Sequence, residues 1–179
     1  MEIETIYEPY VYSIKYDGQE LCEFDRLFDA WSDMSELVNF MRTHQEYLNN
    51  PIWGEQHTPE SAARRVRDEA TELGKLLFEL CKNADQGETP DFDSHFKFLD
   101  GKYQVYEYIP MKSYGTGRPS FLRMYAIKLK NNLYVITGGG IKLADTIQES
   151  PDLQKHVLQN IDKVRAWLIQ NGIMDEQDL

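Results

Sequence analysis

Two cysteines, Cys22 and Cys81, stand nearly sixty positions apart in a chain of 179 residues. They form no CxxC pair and no ligand cluster, which excludes a disulfide-built scaffold and a cysteine-based zinc site. They read as reduced thiols of a cytoplasmic protein. No apolar run approaches the roughly 18 residues of a membrane span. The opening Met1-Glu2-Ile3-Glu4 is acidic and lacks the apolar core of a secretory signal. The histidines (His44, His57, His95 and His156) share no ligand spacing, so no metal is expected. GxGxxG, Gly-Lys-Ser/Thr and GxSxG are all missing, which leaves nucleotide-loop and serine-hydrolase chemistry without support, and no cofactor is implied. Neither cysteine has an evident histidine partner.

Basic charge is also scarce overall: 19 Lys and Arg face 30 Asp and Glu, a formal net charge of −11. Such a chain is no general nucleic-acid coat. The deficit is uneven, however. Residues 1–100 hold nine basic and twenty-two acidic side chains, whereas residues 101–179 hold ten and eight. Between Lys102 and Lys142 seven cations (Lys102, Lys112, Arg118, Arg123, Lys128, Lys130 and Lys142) meet the single acid Glu107. Because salt screens charges beyond about 10 Å, such a stretch can bind phosphate inside an acidic protein. Lysines that merely solvate the outer face of a sheet are the plainer alternative.

With 41% hydrophobic and 12% aromatic residues the chain has the material for a core, and its length fits a single domain over 1–179. Tyr10 to Leu27 alternates around Asp17-Gly18 and reads as a β-hairpin. Asp33 with Glu36 is a capping box opening a helix whose apolar set is Leu37, Val38, Phe40, Met41 and Leu48, ended by Asn49-Asn50-Pro51. Thr58-Pro59-Glu60 starts a second helix running to about Ala84, with Val66, Ala70, Leu73, Leu77 and Leu80 as its seam. On its other face the Arg64–Arg67 cluster, followed closely by acids, reads as a solvated surface. Residues 85–94 are a polar connector between helices and sheet.

Strands are then expected at Lys102–Ile109, Phe121–Leu129 and Leu133–Thr137, with Pro110–Pro119 a glycine-containing loop and Asn131-Asn132 a hairpin turn. Gly138-Gly139-Gly140 suggests a bulge or a close backbone approach. A last helix spans Pro151 to about Gln170, burying Leu153, Val157, Ile161, Val164 and Leu168, and Asn171-Gly172 ends it. The order β-β-α-α-β-β-β-α defines an α+β domain with an antiparallel sheet. Residues 1–90 form a hairpin and helical extension, and residues 91–179 the sheet and C-terminal helix.

In a strand, residues i and i+2 share a face, so Arg123 and Tyr125 lie together, opposite Leu122, Met124 and Ala126. Arg118 enters from the preceding loop and Lys142 leaves the next strand. Cations around a phenol suit RNA cleavage by in-line attack of its own 2′-hydroxyl. Arg123 and Lys142 would neutralise the phosphorane and Tyr125 would assist with protons. The alternative for Arg123 is an ion pair with a carboxylate such as Glu107.

Residues 118–125, 132–139, 141–142 and 146–152 resemble the C-terminal half of RelE/HigB-type toxins over roughly residues 100–170. That family shows an Arg-containing strand, a strand ending near Gly, a cation just beyond it and a last helix. The resemblance implies a small twisted antiparallel sheet with helices on one side. It implies an endoribonuclease acting on mRNA, free or on the ribosome, and a cognate antitoxin, often a helix-turn-helix protein. By position Arg123 matches the family's strand arginine and Lys142 its basic residue after the following strand, the expected catalytic cations, while Lys112 and Arg118 lie where such toxins place further cations. The basic sheet itself adds Tyr125 as expected helper and Lys128 and Lys130 as expected RNA contacts. The chain departs from the family in three ways. Thr146-Ile147-Gln148 stands where a late Tyr or His is common, the net charge is acidic, and about ninety N-terminal residues have no counterpart. A second reading is therefore a non-catalytic interaction module on a toxin-like scaffold, its acidic N-terminal half binding a basic protein. A third is a small-molecule enzyme with a pocket beneath the glycines.

Overall fold

The computed structural model describes residues 1–85, 90–99, 107–115, 119–153 and 157–179. A six-stranded sheet has the order β1-β2-β6-β5-β4-β3. Its strands are β1 (Glu2–Tyr7), β2 (Val11–Lys15), β3 (Phe96–Phe98), β4 (Ile109–Ser113), β5 (Leu122–Lys128) and β6 (Tyr134–Ile141). Four helices accompany it: α1 (Glu23–Ser32), α2 (Met34–Thr43), α3 (Pro59–Asp85) and α4 (Val157–Gln170). All neighbouring strands run antiparallel except β2 and β6, which are parallel through Val11↔Tyr134 to Ser13↔Ile136. The α+β class holds. The sheet is mixed, because the chain leaves β2 for the helices and returns to it only through β6.

The helices lie on both faces and not on one. Leu27 and Trp31 of α1, Leu37 and Met41 of α2 and the α3 seam pack with Leu122, Met124, Ala126, Tyr134 and Ile136. On the other face Val157, Ile161, Val164 and Leu168 of α4 pack with Tyr12, Ile14, Tyr125, Ile127 and Val135. Each such fully buried aliphatic side chain is worth about 1.5–3 kcal/mol of transfer free energy. Strand alternation alone assigns these two sets of side chains, so both faces of β5 and β6 are apolar and both need cover.

The expected N-terminal hairpin is shifted. Its strands are β1 and β2, joined at Glu8-Pro9-Tyr10, where the Tyr10 amide donates to the Tyr7 carbonyl at 2.9 Å. Asp17-Gly18 does turn the chain, with Gly18 at φ +81°. The segment beyond it is α1, because Glu23, Leu27 and Trp31 recur at four-residue spacing and are all buried. Three helices thus precede β3 where two were expected.

Asp33 caps α2 as expected, its carboxylate accepting from the Ser35 and Glu36 amides at 2.9 and 3.0 Å. That helix stops at Thr43, and Leu48 is buried from a separate short turn, Gln45–Asn49. Helix α3 follows the expected bounds closely, with Val66, Ala70, Leu73 and Leu77 buried.

Strand β4 occupies Ile109–Ser113, part of the segment read as a loop. Of the strand expected over 102–109, residues 102–106 lie outside the described residues. Pro110 is tolerated because its carbonyl accepts from the Leu99 amide at 3.0 Å, on the side away from β5. Its missing N–H therefore removes no bond to the central strand. β3, three residues long, gave no clear sequence signal.

The hairpin β5–β6 forms about Lys130–Asn132 as expected. The pairing slips between Tyr125↔Gly138 and Ala126↔Ile136, leaving Thr137 as the extra residue of a β-bulge. The slip shifts which side chains face α1–α3, from even positions (Tyr134, Ile136) to odd ones (Ile141, Leu143). At Gly139 a Cβ would collide with the Arg123 carbonyl oxygen and stand 2.9 Å from Leu27 Cδ1. Gly139→Ala is expected to lower unfolding stability by about 1–3 kcal/mol through overpacking. Urea denaturation checks this.

Candidate cation–aromatic site on the sheet

The bulge and register of the central hairpin set out the proposed site residues. Lys112 stands opposite Tyr125 across β4–β5, and Arg123 stands opposite Gly140 across β5–β6. Just past β4, Tyr114 lies over this face. The Arg123 guanidinium is 4.5 Å from the Tyr114 ring centroid and Lys112 Nζ is 5.5 Å from it. Two cations thus share one aromatic ring, each within the range of a cation–π interaction. Arg123 is 8% exposed, and its Nη1 donates to the carbonyls of Ser120, at 2.9 Å, and Leu122. These bonds fix the orientation of the guanidinium plane.

Lys142 follows β6, its amide donating to the Phe121 carbonyl at 2.7 Å. It is half-buried and makes no ion pair among the described residues. Burial and then the Arg123 charge pull its ammonium below the usual lysine range, Lys112 adding to the effect while Asp145 and Tyr114 oppose it. Arg123, Lys142 and Lys112 therefore act on one another electrostatically.

Tyr125 lies beneath this face. It is fully buried, and its hydroxyl finds no hydrogen-bond partner among the described residues. Burial pushes it up to about 12, with Arg123 offsetting part of the shift. With no exposed surface, the phenol does not reach a ligand on the sheet in this structure.

The remaining cations separate from this group. Lys128 reaches Asp93 on the α3 side of the sheet at 2.6 and 2.7 Å, and the Tyr134 hydroxyl donates to the same carboxylate at 2.5 Å. Burial raises the Asp93 pKa, but the Lys128 and Tyr134 bonds outweigh it and hold the carboxylate below its usual range. Lys130 pairs with Glu107 at 2.9 Å, so the carboxylate considered for Arg123 is taken by a different cation. Neither lysine is placed as an RNA contact beside Arg123. Arg118 lies outside the described residues.

Two features were not apparent in the chain order. Tyr114 falls within the segment expected to be a glycine-containing loop, although two nearby cations and an aromatic residue between them are a recognisable pattern. Arg65 belongs to the Arg64–Arg67 cluster expected on a solvated helix face. It instead donates through Nε to Glu69 at 2.9 Å and through Nη2 to the Pro119 carbonyl. Glu69 in turn accepts from Ser120 Oγ at 2.8 Å and the Phe121 amide at 3.0 Å. Helix α3 thereby ties down the start of the strand that carries Arg123. The described residues also bring ligand atoms of Glu4, Cys22 and Asp25 within 4.8 Å of one another. Glu4 is ion-paired to Lys15 at 3.0 Å and the Cys22 thiol donates to Asp25 at 3.6 Å, so both carboxylates are engaged within the protein.

Comparison of the chain with protein-family models, curated proteins and solved structures gave no match. No helix among the described residues is long and apolar enough to cross a membrane.

Removing the Tyr125 hydroxyl takes away a buried polar group that makes no bond. Tyr125→Phe is expected to leave stability unchanged or raise it by up to about 1 kcal/mol, measured by chemical denaturation. A loss above about 1 kcal/mol would show that the hydroxyl is bonded in solution.

Proposed function

We propose that the protein is an RNA-cleaving toxin of the RelE/HigB type, using Lys112, Arg123 and Lys142 as its phosphate-binding and catalytic cations. The convergence of these three side chains about Tyr114 on one sheet face carries this reading. Arg123 and Lys112 neutralise the charge that builds on the phosphorane as the RNA 2′-oxygen bonds to phosphorus. Lys142, its ammonium made more acidic by burial and by Arg123, donates its proton to the departing 5′-oxygen as that P–O bond breaks. The 2′-hydroxyl proton passes to water. Tyr114 offers a ring on which an unstacked base can lie. In place of the late Tyr or His common in the family, this chain uses a depressed lysine for proton transfer. Tyr125 supports the site from within the core. The partner expected with this function is an antitoxin protein that holds the enzyme inactive.

The low exposure of Arg123 favours a second reading, in which the toxin-like sheet is only a scaffold for protein binding. Induced expression in a bacterial host separates the two. Wild type is expected to arrest growth and leave mRNA fragments with 5′-hydroxyl ends, and Arg123→Ala with Lys142→Ala is expected to grow normally. Lys142→Arg keeps the charge but cannot release a proton, so cleavage is expected to fall by about 10²–10⁴-fold while RNA affinity persists. Soluble wild-type protein with normal growth, intact mRNA and no salt-dependent RNA affinity overturns the proposal in favour of the scaffold. In vitro, a general acid must hold its proton, so the rate is expected to fall as pH rises through the Lys142 pKa. That limb is expected below the ordinary value of 10.5.

A further inference from the structure

The parallel pairing of β2 with β6 ends at Ser13↔Ile136, and among the described residues no strand continues it alongside Gly138–Ile141. The direction of the backbone groups there follows from two bonds. The Lys142 amide donates inward to Phe121 of the neighbouring segment, and the Ile141 amide donates outward to Asp152 Oδ2 at 2.6 Å. The Ile141 carbonyl accepts from Ser150 Oγ at 3.1 Å. Backbone groups alternate along a strand, so Gly139 turns its N–H and C=O outward, the same way as Ile141. Ile141 is covered by protein, whereas Gly139 borders open space.

That space consists of two adjoining clefts of about 210 and about 300 Å³ that share Arg26, Gly139 and Asp152. One runs between α1 and α2 and is floored by Leu27, Trp31 and Leu37. The other lies toward the start of α4 and includes Glu23 and Asn160. A side chain on β6 would close them: a Cβ on Gly140 would stand 2.6 Å from Asp152 Oδ2, and one on Gly138 would stand 3.3 Å from Glu23 Oε2. Gly139, partly exposed between the buried Gly138 and Gly140, thus bares its outward backbone groups within a partly apolar groove.

Charge defines the occupant further. Glu23 is buried and holds Arg26 through both carboxylate oxygens, at 2.9 and 2.7 Å. That pair is close to neutral, and Asp152 and the exposed Glu36 leave the groove net negative. Arg26 and the Gly139 N–H offer donors, and the Gly139 carbonyl and Asp152 offer acceptors. One residue of an extended chain turns its C=O and N–H to the same side and so supplies the complementary acceptor and donor, and the α1–α2 cleft takes one apolar side chain.

We infer that the β6 edge at Gly138–Gly140 binds an extended segment of another protein, with an apolar residue seated against Leu27 and Trp31 and basic residues beside it. The inference does not rest on RNA cleavage. The added segment extends the sheet where β2 diverges, its apolar side chain fills the cleft, and its cations face Asp152 and Glu36.

A library of random dodecapeptides displayed on phage, panned against the full chain, tests this. The same chain carrying Ala30→Arg, which plugs the mouth of the α1–α2 cleft from an exposed helix position, serves for subtraction, its folding checked by its thermal midpoint. The selected peptides are expected to share an apolar residue flanked by Lys or Arg and to lack proline around it. Synthetic copies are expected to shift the amide resonances of Gly138–Ile141 and the Trp31 indole, and to bind Glu36→Lys at least about tenfold more weakly. Failure to enrich any sequence over the subtraction, enrichment of acidic peptides, or binding whose shifts lie away from β6 overturns the inference. So does a chain that dimerises through this edge and excludes every peptide, since a second copy would then be the occupant.

Discussion

The antiparallel pairing of β5 with β6 is the constraint on which the other elements depend. Both strands are apolar on both faces, so neither face can be left to solvent. The residues of α1–α3 cover one side and α4 covers the other. A single bulged residue, Thr137, then shifts the alternation of β6, so that Ile141 and Leu143 reach the α1–α3 core while Lys142 stays on the face of Arg123. Without that extra residue the last part of β6 would present the opposite side chains to each layer.

The same shift produces the electrostatics of the proposed site. Arg123 and Lys142 come from adjacent strands and lie close enough for the first to lower the basicity of the second. The ring of Tyr114 spreads over Arg123 and Lys112, and the ion pair of Arg65 with Glu69 braces the entry to β5 from the far side of the sheet. The acidic N-terminal half is thus not an appendage. It contributes two strands to the sheet and, through α3, holds the Arg123 strand in register.

Much of the fold was legible where local chemistry is strong. Thr58-Pro59-Glu60, Asp33 with Glu36, Asn131-Asn132 and the 4-3-4-3 seam of α3 each specify an element within a few residues, and all four are found. The errors fall where local signals compete. Asp17-Gly18 marks a turn whether a strand or a helix follows, and only the burial of Glu23, Leu27 and Trp31 decides for the helix. Pro110 argued against a strand, yet β4 accepts it because its side of the ladder faces away from β5. At the site, strand alternation placed Arg123 beside Tyr125 and Lys142 nearby. It could not separate Lys128 and Lys130 from them, because Asp93 and Glu107 approach only through the folded chain.

The sequence by itself determined the starts of α2 and α3, the central hairpin and the concentration of cations there, all of which are fixed by neighbours within a few residues. Tertiary structure alone decided that β2 joins β6 in parallel, that helices cover both faces and that Tyr125 is sealed from solvent. It also decided which cations remain together and where the sheet edge lies bare. These depend on contacts between segments far apart in the chain, whose free energies are settled only when both faces of one sheet are closed at once.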